Sequence, residues 1–326
     1  MVEIRAMISS NTQLAKVKEP SVALFVGATS GIGLGVLREF VRQTINPRVY
    51  FVARSITAAG TIAEELRLLN PGAKCEIIHK DVSLIRDAEK VAEYVMSQES
   101  SLDLLFMSQG CHVLIKCLDT VEGLDASMST RYYSRIRLAH TLLPLLNKSQ
   151  SSRVVSVLVG GQEGSVDEED LGLENPGNFS TSSASYHSCT MNTLMLERLA
   201  TENPRVSFIH AFPGMVNTPL FNHLSSGIKG TLLSYTIAPV AKLFGRSVSD
   251  AGHWGLFIAT SARYSVDDGV VPLTMGIGKA GRTKGGIFLV NEKGETTDNE
   301  KVLGPFRKRG VDKKIWTHTQ QVFASI

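Results

Sequence analysis

The sequence predicts an α/β fold in three layers, with a doubly wound parallel sheet between two layers of helices. Seven short apolar runs have the length of buried strands, and five longer stretches between them carry apolar residues at helical spacing. Strands that alternate with helices are typical of parallel sheets, because each parallel pair needs a long crossover connection. With 326 residues, of which 43% are hydrophobic, the chain has enough apolar material for one large core.

The elements follow one another in a regular alternation. The predicted strands are Val22–Val26, Val49–Val52, Cys75–His79, Leu102–Met107, Val154–Val159, Val206–Ala211 and Gly286–Val290. The predicted helices are Gly33–Thr44, Ala58–Leu69, Ile85–Ser97, Leu124–Leu146 and Ser185–Thr201. Pro204 ends the last of these helices, because proline lacks an amide hydrogen and disfavours helix in the residue before it.

The chain is predicted to be one domain, because no internal repeat and no linker rich in glycine, serine or proline divides it. We expect a polar tail over residues 1–20, the domain over 21–326, and a C-terminal extension over 291–326 within it. Residues 218–247 form an insertion rich in apolar side chains, among them Tyr235 and Phe244. Ligands bind beyond the carboxyl ends of the strands in such sheets, so we expect this insertion to be a substrate lid.

Composition excludes several classes of function. The net charge of +3, without long basic runs, argues against nucleic acid as a partner. No run of about 18 apolar residues occurs, so no membrane span or signal peptide is predicted. The four cysteines lie far apart without a CxxC spacing, which argues against a metal site and against a disulfide framework. We therefore expect a soluble cytoplasmic protein.

A glycine-rich segment, Gly27-Ala28-Thr29-Ser30-Gly31-Ile32-Gly33, joins the first strand to the first predicted helix. Gly27 allows a tight turn, Gly31 lets the backbone approach a pyrophosphate, and Gly33 lets the helix lie close to the sheet. The start of the helix then presents free amides and the positive end of its dipole. We expect Thr29, Ser30 and Ile32 to share this dinucleotide phosphate site with the three glycines.

Arg54 ends the second strand, where an acidic residue would accept hydrogen bonds from the adenosine ribose of NAD. A guanidinium there suits a 2′-phosphate through charge-assisted hydrogen bonds, and the hydroxyl of Ser55 suits it too. The pair therefore favours NADP(H) as cofactor. The alternative is that Arg54 is an exposed residue that merely closes a strand.

These motifs together resemble the short-chain dehydrogenase/reductase family, whose GxxxGxG spacing the glycine segment meets. The resemblance implies a Rossmann-type sheet and extends in the family's order from about residue 20 to 220. Asp81-Val82 is similar to the family's adenine-contacting pair, and Pro213-Gly214 with Thr218 is similar to the turn and threonine that hold the nicotinamide amide. Gly110 matches the glycine of the family's Asn-Asn-Ala-Gly motif.

The resemblance also implies a type of metabolic pathway and an oligomeric state. The tail and the insertion look most like a divergent group in filamentous fungi that often serves secondary-metabolite pathways. Relatives commonly pair through the helices that here contain Arg131 and Tyr186, so a homodimer is expected.

The family's catalytic tetrad of Asn, Ser, Tyr and Lys is mostly altered in this chain. Arg131 takes the place of the asparagine, Val159 or Gly160 that of the serine, and Thr190 that of the lysine, while Tyr186 stands where the catalytic tyrosine would be. In the family that lysine lowers the pKa of the tyrosine and holds the ribose. A phenol without it is a poor acid–base catalyst at neutral pH.

Other polar residues are candidates for the missing roles. His187 adjoins Tyr186 and is of the type that titrates near neutral pH, so it is a candidate acid or base. Neighbouring residues on a helix point about 100° apart, so only one of the two can point straight at the nicotinamide. Arg131 and Tyr133 are candidates for polarising a substrate. The alternative for these residues is a solvated or subunit-facing helix surface.

Three functions follow from this pattern. The first is an NADP(H)-dependent reductase or dehydrogenase for an apolar, polyketide- or terpenoid-like carbonyl or hydroxyl compound, with Tyr186 as proton donor. The second is a non-redox isomerase, dehydratase or cyclase in which Arg131, Tyr133 or His187 polarises the substrate. The third is an inert protein that binds NADP(H). The retained nicotinamide turn favours the first function, and the lost serine and lysine favour the second.

Overall fold

Eight strands form one sheet in the computed structural model, which describes residues 1–17, 21–110, 119–218 and 245–326. The strands are β1 Val22–Val26, β2 Arg48–Ala53, β3 Lys74–His79, β4 Leu104–Met107, β5 Arg153–Val157, β6 Ser207–Ala211, β7 Phe288–Val290 and β8 Thr296–Thr297. Their spatial order is β3-β2-β1-β4-β5-β6-β7-β8. Strands β1 to β7 are parallel, and β8 runs antiparallel to β7.

Helices cover both faces of the sheet. In the described residues they are α1 Ile4–Asn11, α2 Gly31–Gln43, α3 Ile56–Leu69, α4 Ile85–Gln98, α5 Ala126–Met128, α6 Ser134–Leu146, α7 Thr181–Glu202, α8 Val248–Thr260, α9 Glu300–Arg309 and α10 Val311–Ser325. A stretch of π-helix, Ser129–Tyr133, joins α5 to α6. One core cluster lies between the sheet and α4, α6, α7, α9 and α10, and the other lies under α1, α2, α3 and α8. The predicted three-layer, single-domain Rossmann-type fold is confirmed.

The order of the strands reverses at β1, which has β2 on one side and β4 on the other. The connections from β1 and β4 therefore leave in opposite directions and open a crevice at the carboxyl ends of these strands. The register pairs Val26 with Met107, so the glycine segment after β1 lies directly beside the residues that follow β4.

Residues 1–17 of the expected polar tail are packed against the domain. Met7 and Leu14 are buried in the same core cluster as α8. The amide of Asn11 donates a hydrogen bond to the carbonyl of His253 in α8 at 2.9 Å. Met7, Ser10 and Asn11 lie three and four positions apart and form the buried face of α1, so this segment packs as a helix despite its polar composition.

Helix α7 begins at Thr181, four residues before the predicted start. Ser180 caps it, because its hydroxyl accepts a hydrogen bond from the Ser183 amide while the Ser183 hydroxyl accepts one from the Ser180 amide. This reciprocal arrangement satisfies two amides that a helix start leaves free. No described helix is long and apolar enough to cross a membrane.

The C-terminal extension forms β8, α9 and α10. Helix α10 packs against α6 and α7, where the Trp316 ring lies 5.1 Å from the ring of His140 and 5.6 Å from the guanidinium of Arg198. The Phe323 ring lies 4.8 Å from the guanidinium of Arg137. The expected homodimer interface was on these helices, but α10 of the same chain covers this part of their surface.

The predicted lid, residues 218–247, lies mostly outside the described residues. Tyr235 and Phe244 belong to the part that is not described. The ends of the insertion are described, and they meet: the Asn217 amide donates to the Arg246 carbonyl at 3.0 Å, and the Arg246 amide donates to the Met215 carbonyl at 2.9 Å. The insertion therefore leaves and re-enters the domain at one place, just beyond β6.

Candidate active site

A cleft of about 530 Å³ opens at the reversal of strand order, between the carboxyl ends of β1, β2, β3 and β4. Most of the residues predicted to bind the cofactor line it. They are Gly27, Thr29, Ser30, Gly31, Ile32, Gly33, Arg54, Asp81, Val82, Gly110 and Thr218. The structure thus brings together segments that are up to about 190 positions apart in the sequence, as the phosphate-site prediction requires.

The glycine segment is shaped for close approach. Gly27 has φ +80°, and a Cβ there would lie 2.3 Å from the backbone nitrogen of Gln109, so only glycine fits beside the segment that follows β4. Gly31 has φ +55°, and a Cβ there would lie 3.1 Å from Cγ2 of Thr218. Thr218 therefore lies close to the turn at the start of α2, where the amides that a helix start leaves free can bind phosphate.

Arg54 lies exposed at the end of β2 and lines the cleft. Among the described residues, its guanidinium has no hydrogen-bond or ion-pair partner, so the cation is available to a ligand. Ser55 does not line the described part of the cleft. Its hydroxyl caps α3 by accepting a hydrogen bond from the Ala58 amide at 3.3 Å, which gives this serine a structural use.

The segment after β3 is held by carboxylates. Asp81 Oδ1 accepts a hydrogen bond from the Ser83 amide at 3.0 Å, and Asp87 Oδ2 accepts one from the Asp81 amide at 3.2 Å. Lys80 also lines the cleft, and its Nζ lies 3.5 Å from Asp87 Oδ1. The sequence reasoning missed Lys80. It also missed further lining residues, namely Ser83, Ser108, Gln109, Ala126 and Thr130.

Pro213 and Gly214 lie in the connection after β6 but do not line the described part of the cleft. Gly214 has φ +70°, and a Cβ there would lie 2.9 Å from Cβ of Glu292. The turn carries the chain from β6 toward Thr218, which does line the cleft. In this structure Pro213 and Gly214 therefore contribute to the cleft indirectly, by directing the chain toward Thr218.

Tyr186 lies in the first turns of α7 with 43% of its surface exposed. Its ring packs on Gly164, where a Cβ would lie 2.3 Å from Tyr186 Cδ1. No described residue makes a hydrogen bond to its hydroxyl, and Tyr186 does not line the described part of the cleft. One turn further along α7, Thr190 is fully buried and bonded to the backbone of Gly164. Together these two side chains hold the segment that follows β5 against α7.

His187 is buried and faces that same segment. Its Nε2 accepts a hydrogen bond from the Asp167 amide at 2.9 Å, and its Nδ1 lies 3.4 Å from the Leu171 carbonyl. Burial lowers the pKa of the imidazole below its usual range, which favours the neutral ring that this pattern needs. The ring therefore holds residues 167–171 in place, and it does not line the described part of the cleft.

Arg131 and Tyr133 lie in the π-helical stretch. Arg131 Nε donates to the Ser188 hydroxyl at 3.1 Å, which links this stretch to α7. The Tyr133 hydroxyl lies 2.6 Å from Nε2 of His318 in α10, and burial raises the pKa of this phenol. Both side chains are buried, and neither lines the described part of the cleft. They join the π-helical stretch to α7 and to α10.

Arg135, which the sequence reasoning left unassigned, is fully buried under the cleft. Its Nη1 donates to the Ser156 hydroxyl at 2.7 Å and to the Val157 carbonyl at 3.0 Å, and its Nη2 donates to the Gln109 carbonyl. Burial, followed by the neighbouring charge of Arg131, lowers its pKa to about 9. The guanidinium therefore ties the carboxyl ends of β4 and β5 together and fixes Gln109 at the cleft.

A buried polar cluster lies next to this region, where one potential ligand atom each of Glu163, Cys189 and His210 lies within 4.8 Å of the others. The Thr193 hydroxyl donates to Glu163 Oε1 at 2.8 Å and lies 2.8 Å from His210 Nδ1. Burial, with the charges of Arg135 and Arg131, lowers the pKa of His210 to about 3. These surroundings disfavour added positive charge, and hydrogen bonds account for the Glu163 and His210 contacts without a cation.

The known proteins that this chain resembles are dehydrogenases and oxidoreductases. The family described as short chain dehydrogenase matches residues 21–229. The chain is 42% identical to the NmrA-like family domain-containing oxidoreductase notO of Aspergillus sp. (strain MF297-2), over all of this chain and 96% of that protein. It is 36% identical to oxidoreductase AN1596 of Emericella nidulans, over 99% of this chain and 98% of the relative. It is 30% identical to short-chain dehydrogenase/reductase SAT2 of Stachybotrys chartarum, over 97% and 94%.

Solved structures show the same fold at low identity. The Pseudomonas aeruginosa RhlG/NADP active-site complex aligns with a TM-score of 0.56 at 19% identity, over 81% of this chain and 98% of the other. YwfH, an NADPH dependent reductase involved in bacilysin biosynthesis, aligns with a TM-score of 0.54 at 15% identity, over 74% and 92%. Both alignments extend over most of this chain and nearly all of the matched structure.

Proposed function

The chain belongs to the short-chain dehydrogenase/reductase family of oxidoreductases, and we propose that it uses NADP(H) to reduce or oxidise an apolar carbonyl or hydroxyl compound. One observation carries the cofactor part of this proposal: a cation, Arg54, without a described partner stands at the cleft that the glycine segment opens. A 2′-phosphate offers this guanidinium charge-assisted hydrogen bonds that the ribose of NAD does not.

Different residues of the cleft would bind different parts of such a cofactor. The amides of the Gly27–Gly33 segment and the start of α2 bind the pyrophosphate, and Asp81 and Val82 contact the adenine. Thr218 lies beside Gly31 and would hold the nicotinamide end. A nicotinamide bound there would supply or accept the hydride. Arg135 contributes indirectly, because it fixes the backbone of Gln109 in the wall of the cleft.

We assign the proton transfer to Tyr186. It is the member of the family's tetrad that this chain keeps, and it is the partly exposed one among the four predicted catalytic residues. In the direction of reduction, its hydroxyl gives a proton to the carbonyl oxygen while the hydride reaches the carbonyl carbon. Arg131, Tyr133 and His187 are engaged in contacts between elements, so we assign them to holding the site.

The substrate class rests on the sequence and on the relatives. The apolar composition of residues 218–247 supports an apolar substrate. The fungal relatives are named only as oxidoreductases, so a polyketide- or terpenoid-like compound of secondary metabolism is proposed from the sequence resemblance. A cytoplasmic location is proposed from the cysteines, whose spacing is not that of a disulfide framework.

A non-redox isomerase, dehydratase or cyclase is the second candidate, and Thr190 favours it. Where the family has a lysine, this buried threonine is bonded to Gly164, and neither Val159 nor Gly160 supplies a hydroxyl. Two parts of the family's proton-transfer system are therefore missing, and a structural contact takes the place of one of them. A protein that only binds NADP(H) is a third candidate with the same losses.

Transfer of deuterium tests the three candidates together. The purified protein is incubated with NADPH that carries deuterium on the transferable position and with a panel of fungal polyketide and terpenoid ketones. An oxidoreductase gives an alcohol that contains deuterium, and the absorbance of the reduced nicotinamide falls in step with product. A product without deuterium and without nicotinamide oxidation supports the isomerase. Cofactor binding without any product supports the inert protein.

A further inference from the structure

We propose that Lys80 is a second determinant of cofactor selectivity and that it binds the 2′-phosphate of NADP(H) together with Arg54. This inference rests on the proposed use of a nicotinamide dinucleotide and names the site that recognises its extra phosphate. Among the described residues that line the cleft, Arg54 and Lys80 are the two cationic ones.

The sheet register places the two cations side by side. β2 and β3 are parallel neighbours, and the last residue pair in their register is Ala53 with His79. Arg54 and Lys80 are the next residue of each strand, so they leave the sheet at the same height. The Lys80 amide donates to the Ala53 carbonyl at 3.2 Å, and a ring nitrogen of His79 lies 3.0 Å from the Arg54 carbonyl. The two backbones are therefore fixed to each other.

The charge of Lys80 is only weakly engaged in the structure. Its partner is Asp87 Oδ1 at 3.5 Å, and both side chains are partly exposed to solvent. Such a pair contributes little, because water screens it and two side chains must be ordered to form it. Asp87 has a second task, since its other oxygen accepts the Asp81 amide. A phosphate dianion beside Lys80 would be a stronger partner than this shared carboxylate.

The two neighbouring cations explain how the cleft would discriminate between NADP(H) and NAD(H). A 2′-phosphate carries nearly two negative charges, so one guanidinium leaves part of the charge unpaired and a neighbouring ammonium removes the remainder. The 2′-hydroxyl of NAD gains no such charge pairing from either cation. Lys80 therefore adds affinity for NADP(H) and little for NAD(H).

Calorimetry with the full chain and four probes tests this assignment: NADPH, NADH, 2′,5′-ADP and 5′-ADP. Lys80→Gln should weaken NADPH and 2′,5′-ADP about tenfold, as expected for one charged hydrogen bond, and leave NADH and 5′-ADP unchanged. Lys90→Gln is the matched control, because Lys90 is an exposed lysine of α4 that does not line the cleft. Its affinities should stay at wild-type values.

Asp87→Asn should change the affinity for NADPH in the opposite direction. The amide oxygen still accepts the Asp81 amide hydrogen, but the charge that competes for Lys80 is gone, so NADPH should bind several-fold more tightly. Arg54→Gln should weaken NADPH as well, and Arg54→Gln with Lys80→Gln should bind NADPH no better than NADH. Both cations are partly or fully exposed, so these variants are expected to fold, and circular dichroism verifies this.

Each contrary result overturns a specific statement. If Lys80→Gln binds NADPH like the wild type while Arg54→Gln does not, the role of Lys80 is wrong and the cofactor proposal stands. If Lys80→Gln weakens NADH as much as NADPH, Lys80 contacts a part that both dinucleotides share, and the 2′-phosphate assignment is wrong. If the wild type binds neither dinucleotide, the proposed function itself fails.

Discussion

Thr190 and Gly164 are joined by two hydrogen bonds: the Gly164 amide donates to the Thr190 hydroxyl at 3.0 Å, and that hydroxyl donates to the Gly164 carbonyl at 2.9 Å. The threonine is fully buried. It stands where the family carries a lysine, so the side chain that would hold a ribose instead holds the segment after β5. The loss of the lysine and the packing of Tyr186 on Gly164 thus belong to one local arrangement.

The first prediction is that Thr190→Val lowers the free energy of unfolding by about 1–3 kcal/mol, because valine keeps the shape but leaves the Gly164 amide and carbonyl unpaired. Urea denaturation of the purified protein measures it. Thr190→Ser is the matched control, since it keeps the hydroxyl and should lose less. A Thr190→Val protein as stable as the wild type would show that water replaces both bonds.

The second prediction concerns the attachment of α9 to α7. Arg307 makes two hydrogen bonds to Glu197, at 3.0 and 2.6 Å, and the carboxylate is nearly buried. Removing one partner of a buried pair leaves an uncompensated charge, so Arg307→Met should cost about 3 kcal/mol of unfolding free energy. Arg309→Met removes a pair with Glu168 whose arginine is 53% exposed, and it should cost less than about 1 kcal/mol. Equal losses in the two variants would contradict this difference.

The third prediction is a loss of stability in acid that depends on His210. Burial lowers the pKa of His210 to about 3, whereas the unfolded chain takes up this proton near pH 6.5. The unfolded state therefore binds more protons between these values, so the stabilisation is complete above pH 6.5 and is lost as the pH falls toward 3. The slope from this one group approaches about 1.4 kcal/mol per pH unit.

His210→Asn isolates this contribution, because asparagine does not titrate and its amide can still donate to the Thr193 hydroxyl. The unfolding free energies of the two proteins are compared from neutral pH down to about pH 5, a range in which the unperturbed imidazole becomes charged. The advantage of the wild type should shrink steadily on acidification. A difference that stays constant with pH would mean that His210 is already charged in the folded protein or remains neutral in the unfolded one.

The fold and the place of the glycine segment after β1 were predictable from the sequence because their signals are local. Most of the first six strands contain an apolar run, and Gly27, Gly31 and Gly33 lie within seven positions of one another, directly after a strand. The pattern of a strand followed by glycines is visible in the sequence, whereas the contacts that require glycine, such as that of Gly27 with Gln109, come from distant segments. The predicted first strand corresponds to β1, and the predicted glycine segment leads into α2 and lines the cleft.

Lys80 and His187 show what the sequence did not reveal. Lys80 is a site candidate through the register of β2 with β3, and no motif records which residues of two strands lie side by side. His187 and Tyr186 are adjacent in the sequence, and periodicity alone does not decide which of them points into the protein. The amide of Asp167, some 20 positions away, holds the histidine inside. Ser55 was ambiguous for another reason, since serine suits both a phosphate and a helix cap.

The last prediction concerns the proton donor. If Tyr186 gives the proton to the substrate, Tyr186→Phe should lower turnover by about 10²- to 10⁴-fold, the usual contribution of a general acid, without weakening NADPH binding. Tyr133→Phe is the matched control: it removes the same atom from a buried tyrosine whose hydroxyl meets His318, so it should cost stability while turnover stays near the wild-type value. Steady-state rates and cofactor titrations of the two variants separate these effects, because a general acid acts in the transition state and a structural hydroxyl acts in the folded state. If Tyr186→Phe works at the wild-type rate and product forms without any change in nicotinamide absorbance, the oxidoreductase mechanism is wrong, and the isomerase or cyclase takes its place.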